Sequence, residues 1–333
     1  MKTIKIFLIL LCFSNFSIGH PGIGIVQDSK GNVYYTDLTQ VWKISRDGNK
    51  KVVVPNVHTH ELYIDHNDNL YGEHVWYNGE RADTWGHYVW KKTPDDKIEK
   101  IKGPLPGFLE DYSFIRDSAG NMYWVEKFTV SRFKKRSASG TETIGEGRFR
   151  NIRWMSSTRS GVLYFMDIDR LYKLKEGKFA LLADHLNEST SPFKIIGEIH
   201  NAYGIWTDAS ENIYVALHGG QRIKKITPTG IITTFLSSPS PWSPTNGLFD
   251  KDGNLYLLEY TLKGDARVRM IRKNDFIKNV AIIISPFNHA TQAFFAGALA
   301  ILLFLVSAVF IRFSLHAGAK QKTTDTNHIA TIF

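Results

Sequence analysis

Apolar residues along this chain fall in short alternating runs, and the polar residues between them recur in a fixed order. An apolar stretch ends in Asp; two variable residues and a turn residue follow, then Asn, then apolar–Tyr–apolar. The copies read IVQDSKGNVYYTD, LYIDHNDNLYGEH, FIRDSAGNMYWVE, IWTDASENIYVAL and LFDKDGNLYLLEY, with the asparagines at Asn32, Asn69, Asn121, Asn212 and Asn254. A degenerate copy, RWMSSTRSGVLYFMD, puts Val162 in the asparagine slot. After each copy comes a run carrying a basic residue, such as VWKI, VSRF or IKKI, then a turn and a further apolar run. Alternation bounded by turn clusters predicts strands joined as hairpins. The Asp and Asn side chains bond nearby amides, and Gly supplies positive φ.

Each unit of about 40 to 50 residues therefore predicts four short strands, the size of a propeller blade. A lone pair of hairpins cannot bury both faces, so neighbouring units must stack. No capping repeat is visible, which favours closure around an axis. The expectation is an all-β chain, a six-bladed β-propeller over residues 20–286. The repeat resembles that of the NHL-repeat six-bladed propellers, broadly similar to the senescence-marker/gluconolactonase-like superfamily, over Pro21 to about Pro286. That resemblance implies a scaffold used by binding proteins, lactonases and lyases alike.

Two segments break the alternation. Residues 1–19, with Lys2 and Lys5 ahead of an apolar centre and small residues at Ser17 and Gly19, read as a secretory signal. Residues 293–311 are uncharged throughout, enough to cross a hydrocarbon core of about 30 Å as a helix. Arg312, Lys320 and Lys322 place the tail, 312–333, in the cytoplasm. The expectation is a single-pass membrane protein with one C-terminal transmembrane α-helix, an exported N-terminal ectodomain and a 287–292 linker. Cys12 leaves with the signal, so packing alone stabilises the ectodomain. The net charge of +9 falls to +5 once Lys2, Lys5, Arg312, Lys320, Lys322 and Asp325 are set aside. An exported chain of that charge is not expected to bind nucleic acid. NES at Asn187 is a glycosylation acceptor only in a eukaryotic secretory pathway.

Inner strands of such blades start at one face, the top, and the Asp–Asn turns lie at the bottom. His66 falls in a bottom turn, whereas His58, His60, His74, His87, His185, His200 and His218 map to the top. The second and third strands of blade 2 are separated by EHVWYNGERADTWGH, where Trp76, Tyr77 and Trp85 either stack on a ligand or staple the loop. Arg153 in GRFRNIRW is the favoured anion contact, since an arginine fork recognises carboxylate or phosphate. Tyr112 and Tyr203, at comparable places in blades 3 and 5, are expected to line the funnel. Asp37, Glu126, Asp167 and Glu259, three residues after each repeat Tyr, read as strand-end acids.

By its likeness to gluconolactonase-type propellers, the chain has Glu61 and Asn246 where that family holds a divalent cation. The equivalent Gly24, Ser113 and Gly204 offer no carboxylate for calcium, so the set is incomplete. His58 and His60 share one side of a strand and suit zinc instead, with a third ligand from His74, His200 or His218. The candidate metal set is thus Glu61, Asn246 and His60, for calcium or zinc. Two functions follow. One is a membrane-anchored propeller that binds a small molecule or protein partner at its top face, held near the bilayer. The other is a metal-dependent hydrolase (lactonase- or esterase-like) or lyase working in the funnel.

Overall fold

The computed structural model describes residues 21–127, 129–158, 160–186 and 201–273, together with the backbone of 277–283. The signal at 1–19, Asn187, His200, the linker at 287–292, the 293–311 span and the tail lie outside the described residues. Among the described residues no helix is long and apolar enough to cross a membrane.

Those residues form six antiparallel sheets in chain order. Blade 1 holds β1 (Ile25–Gln27), β2 (Val33–Thr36), β3 (Val41–Ile44) and β4 (Lys50–Val54). Blade 2 holds β5 (Leu62–Ile64), β6 (Leu70–Tyr77), β7 (Trp85–Lys92) and β8 (Ile98–Pro106). Blade 3 has β9 (Met122–Lys127), β10 (Ser131–Ser137) and β11 (Gly140–Gly147). Blade 4 follows with β12 (Ile152–Ser157), β13 (Leu163–Asp167), β14 (Arg170–Lys175) and β15 (Lys178–Ala183). Blade 5 holds β16 (Ala202–Thr207), β17 (Ile213–Leu217), β18 (Arg222–Ile226) and β19 (Ile232–Ser237). Blade 6 holds β20 (Ser243–Phe249), β21 (Leu255–Tyr260), β22 (Ala266–Ile271) and β23 (Ile277–Ile283).

The recurring Asp is a pin. Asp117 Oδ1 accepts from the amides of Ala119 and Asn121 at 3.0 Å each, while Oδ2 accepts from Asn121 Nδ2 at 2.8 Å and Tyr123 Oη at 2.7 Å. Asp28, Asp65 and Asp208 do the same with Tyr34, Tyr71 and Tyr214. Asp250 binds Asn254 in this way without a phenol. So the repeat Tyr is a second anchor on the turn carboxylate as well as a strand residue. In blade 4 the hydroxyl of Thr158 stands in, accepting from Val162 N at 3.1 Å, which is why that copy looks degenerate.

Blade 3 departs from the expected four strands. Where an inner strand belongs, there is a single bridge between Arg116 and Met122. Ser113 Oγ accepts the Ile115 amide at 3.0 Å, and Met122 Sδ faces the Ser113 amide at 3.4 Å. Local side-chain acceptors have displaced the ladder there.

Apolar clusters fill the seams between blades 1 and 2, 3 and 4, 4 and 5, 5 and 6, and 6 and 1. Closure of the ring joins residues far apart in sequence. Tyr260 Oη donates to Thr36 O at 2.6 Å, and Asn246 Nδ2 donates to Ile23 O at 2.7 Å. At the seam between blades 2 and 3, no such cluster occurs among the described residues, and a cavity opens instead.

The pins make stability pH-dependent. Burial alone would raise Asp65, Asp117 and Asp208, but the donors around each hold its carboxyl below the usual range. Stability from these groups is present above the ordinary Asp pKa and is lost as pH falls through the lowered folded values. Asp117→Asn is expected to cost about 1–3 kcal/mol at pH 7. It should also flatten the loss of Tm between pH 6 and pH 2.5, measured by circular dichroism; an unchanged acid limb would show that this pin is not titrating.

Candidate functional site

Two chambers lie along the axis. The upper one, of about 340 Å³, is bounded by His60, Glu61 and Glu73 of blade 2, by the 108–115 loop, by Trp124–Lys127, and by Ile152–Met155. The lower one, of about 210 Å³, is walled by Glu61, Tyr63, Arg116, Ser156, Ser157 and Asn246 among others. Glu61 lines both and stands at their divide. The upper chamber occupies the space left open beside blade 3, where a loop replaces the inner strand.

The peptide ahead of Glu61 is clamped from both sides. The His60 amide donates to Glu73 Oε1 at 2.7 Å, and the His60 carbonyl accepts from the amides of Ile23 and Gly24, each at 2.8 Å. One turn of chain earlier, the His58 amide donates to His74 Nδ1 at 2.9 Å. Side chains of β6 thus take the amides that a regular ladder would pair. This holds the approach to β5 in a fixed course and sets Glu61 at the axis.

Glu73 is buried at 4% exposure on the second strand of its blade, and its Oε2 has no hydrogen-bond partner among the described residues. Burial pushes its carboxyl up to about 7, against the pull of the His60 amide. Burial, then the neighbouring Glu73, raise Glu61 to about 8, while Arg116 works the other way. Burial drives His60 down to about 4, so its ring is neutral at pH 7. His58 is lowered as well, first by burial and then by His60, whose ring lies edge-on at 4.6 Å. Two carboxyls poised near neutrality in one cavity can divide into an acid and a base. Sequence reasoning missed Glu73; its only mark was an acid inside a strand whose neighbours Gly72 and Val75 are buried.

The expected ligand residues part company. Arg153 and Tyr112 line the upper chamber. On β12, beside the register shift between Ile152 and Met155, Arg153 and Trp154 both border the chamber, and Trp154 is buried, its Nε1 donating to Ala202 O at 3.1 Å. Tyr203 does not line the funnel. It is packed in the seam of blades 4 and 5, 2% exposed, against Trp154 and His218. The long blade 2 insert is a ribbon rather than a loop, since β6 and β7 pair out to Tyr77↔Trp85. Trp76 covers Gly86, where a Cβ would sit 2.2 Å from the indole, and stacks on His74 at 5.8 Å. Trp85 lies between Tyr77 and Phe108 at 5.0 and 5.2 Å, and that strip leads to the chamber rim.

The metal candidates are brought together only in part. Asn246 is committed to ring closure, with Nδ2 on Ile23 O and Oδ1 accepting the Gly247 amide at 2.9 Å. The His60 ring turns to Glu73 at 3.3 Å, His74 Nδ1 takes the His58 amide, and His218 packs on Tyr203. Among the described residues, ligand atoms of three acids or histidines converge only at Asp169, Asp184 and His185, on the blade 4 rim, where Arg170 already pairs with Asp184 at 3.1 Å. Glu61 and Asn246 both line the lower chamber, whereas the His60 ring is turned to Glu73.

No family model and no curated protein matches this sequence. Similar solved structures include a luciferin-regenerating enzyme, 12% identical over 79% of this chain and 93% of that one, with a TM-score of 0.50. The nidogen/laminin complex contains another, 12% identical over 72% and 89% at 0.50. A calcium-binding regucalcin from Agrobacterium tumefaciens is 13% identical over 72% and 82% at 0.48. At these identities the likeness is one of fold. The fold is a six-bladed β-propeller, as the repeat implied.

The closure tie is open to a double-mutant test. A Cβ at Gly204 would lie 2.3 Å from Asn246 Oδ1. Gly204→Ala is expected to cost about 1–3 kcal/mol in urea unfolding. In the Asn246→Ala background the added cost should fall below about half of that; equal costs in both backgrounds would show that the two sites are uncoupled.

Proposed function

We propose that the chain is an acid–base enzyme whose axial funnel opens a small ester or lactone. One observation carries this reading: Glu61 and Glu73, both raised toward neutrality, line one chamber. Glu73, the lower of the two because the His60 amide supports its charge, takes a proton from water. The water oxygen bonds to the substrate carbonyl carbon, and the ester C–O bond breaks. Glu61, still protonated near pH 7, gives its proton to the departing alkoxide oxygen. One proton passed from Glu73 to Glu61 then resets the pair. The same residues serve an elimination, which leaves an unsaturated product rather than an acid and an alcohol.

Fold alone does not choose, since similar scaffolds occur in an enzyme and in a protein complex. A second reading, a propeller that binds a partner at its top rim, draws support from the Tyr77–Trp85–Phe108 strip, 41%, 38% and 55% exposed. We further propose export and anchoring through residues 293–311, on the strength of their uncharged length. Ile283 pairs with Ala266, which pairs with Tyr260 opposite Ser243, so β23, the outermost strand of its blade, finishes level with the start of β20.

Hydrolysis of 4-nitrophenyl acetate and γ-butyrolactone by the purified full-length chain decides between the readings. The expected pH profile of kcat/KM is a narrow bell, rising through about 7 as Glu73 ionises and falling through about 8 as Glu61 does. Glu61→Gln should lower kcat/KM by about 10²–10⁴-fold and remove the alkaline limb. Proton NMR of the products separates hydrolysis from elimination. No turnover of either compound, or a Glu61→Gln variant as active as the parent, would leave the binding reading in its place.

A further inference from the structure

The upper chamber has a second polar wall that the acid–base pair does not use. Arg153 enters it from the bulge in β12, and its Nε is buried with no hydrogen-bond partner among the described residues. Lys127, the last residue of β9, lines the same chamber at its open rim. Although Lys127 is exposed there, the wall on its chamber side and then the Arg153 charge hold its ammonium below the usual lysine range. Two cations placed close enough to disfavour each other, one with an unmet donor, form an arrangement that an anion would relieve. Between them and the carboxyls, Phe108, Leu109, Phe114 and Val125 supply an apolar lining.

We infer that Arg153 and Lys127 form a subsite for the carboxylate of a small amphipathic substrate, whose apolar body lies against Phe108 and Phe114. The chamber favours a monoanion over a phosphate dianion because Glu61 and Glu73 share its wall, and a second negative charge would meet theirs. A cavity of about 340 Å³ suits a ligand of one ring or a short chain. The proposed substrate class is then a carboxylate-bearing ester or lactone, an inference that rests on the funnel being the ligand site proposed above.

Calorimetric titration of the purified full-length chain with phenylacetate, phenylacetamide and phenyl phosphate tests this. Phenylacetate is expected to bind about tenfold more tightly than its neutral amide, the usual size of a charge-assisted contact. Arg153→Gln should bring that ratio to about one, and Lys127→Gln should reduce it about threefold. Lys127→Gln, at the exposed rim, gives the reading if Arg153→Gln fails to unfold cooperatively. Equal binding of acid and amide overturns the proposal. So does a preference that survives both substitutions, tighter binding of phenyl phosphate, or no binding of any of the three. A carboxylate preference without ester turnover would thus sink the hydrolase reading while leaving this subsite in place.

Discussion

Six sheets can close into a ring only if every inner strand starts and stops at the same height along the axis. Turn carboxylates enforce the lower limit. At Asp28, Asp65, Asp117 and Asp208 one side chain gathers the turn amides, the repeat Asn and the repeat Tyr. With the bottoms of the strands held this way, variation is pushed to the top, where each inner strand enters differently. Bulges at Ile152/Met155, Ala202/Ile205 and Pro244/Asn246 all fall at that entry. They decide which residue faces the axis.

The cavity follows from one failure of the repeat. Blade 3 keeps its turn pin but loses its inner strand, because Ser113 and Met122 offer local partners to the backbone. A loop of less regular course lies beside blade 2, and the seam that would be packed becomes the upper chamber. Glu73 can then reach the His60 amide from the second strand, replacing a ladder bond with a charged acceptor. That substitution both fixes Glu61 at the axis and brings a second carboxyl to the chamber. The raised values of the pair share one origin, burial, which outweighs the amides around Glu73 and the Arg116 charge near Glu61.

The same geometry gives other contacts to several residues of the metal set that the gluconolactonase resemblance implied. Asn246 is drawn into the tie between blades 6 and 1, with Gly204 leaving room for its carboxamide. Of the histidines expected for zinc, His58, His60 and His74 serve as ring contacts and an amide acceptor within blade 2, and His218 packs on Tyr203. Acid–base chemistry by the carboxyls is the reading proposed for the groups that line the chamber.

The repeat determined the fold by itself, because the Asp–Asn–Tyr turn is a local hydrogen-bonded unit whose members lie within six residues of each other. Its six occurrences set the blade count, and even the degenerate copy at Thr158 was legible as a position. Tertiary structure alone decided the site. Tyr203 and Arg153 occupy equivalent places beside matching bulges, yet Tyr203 is packed against Trp154 and His218 while Arg153 borders the chamber beside blade 3, since the neighbouring blades decide what each side chain meets. Glu73 became a site residue only when folding carried its carboxylate to an amide thirteen residues away in sequence. Local bonds can be read along a chain, whereas burial, and with it the shift of a carboxyl toward neutrality, depends on which strands close around it.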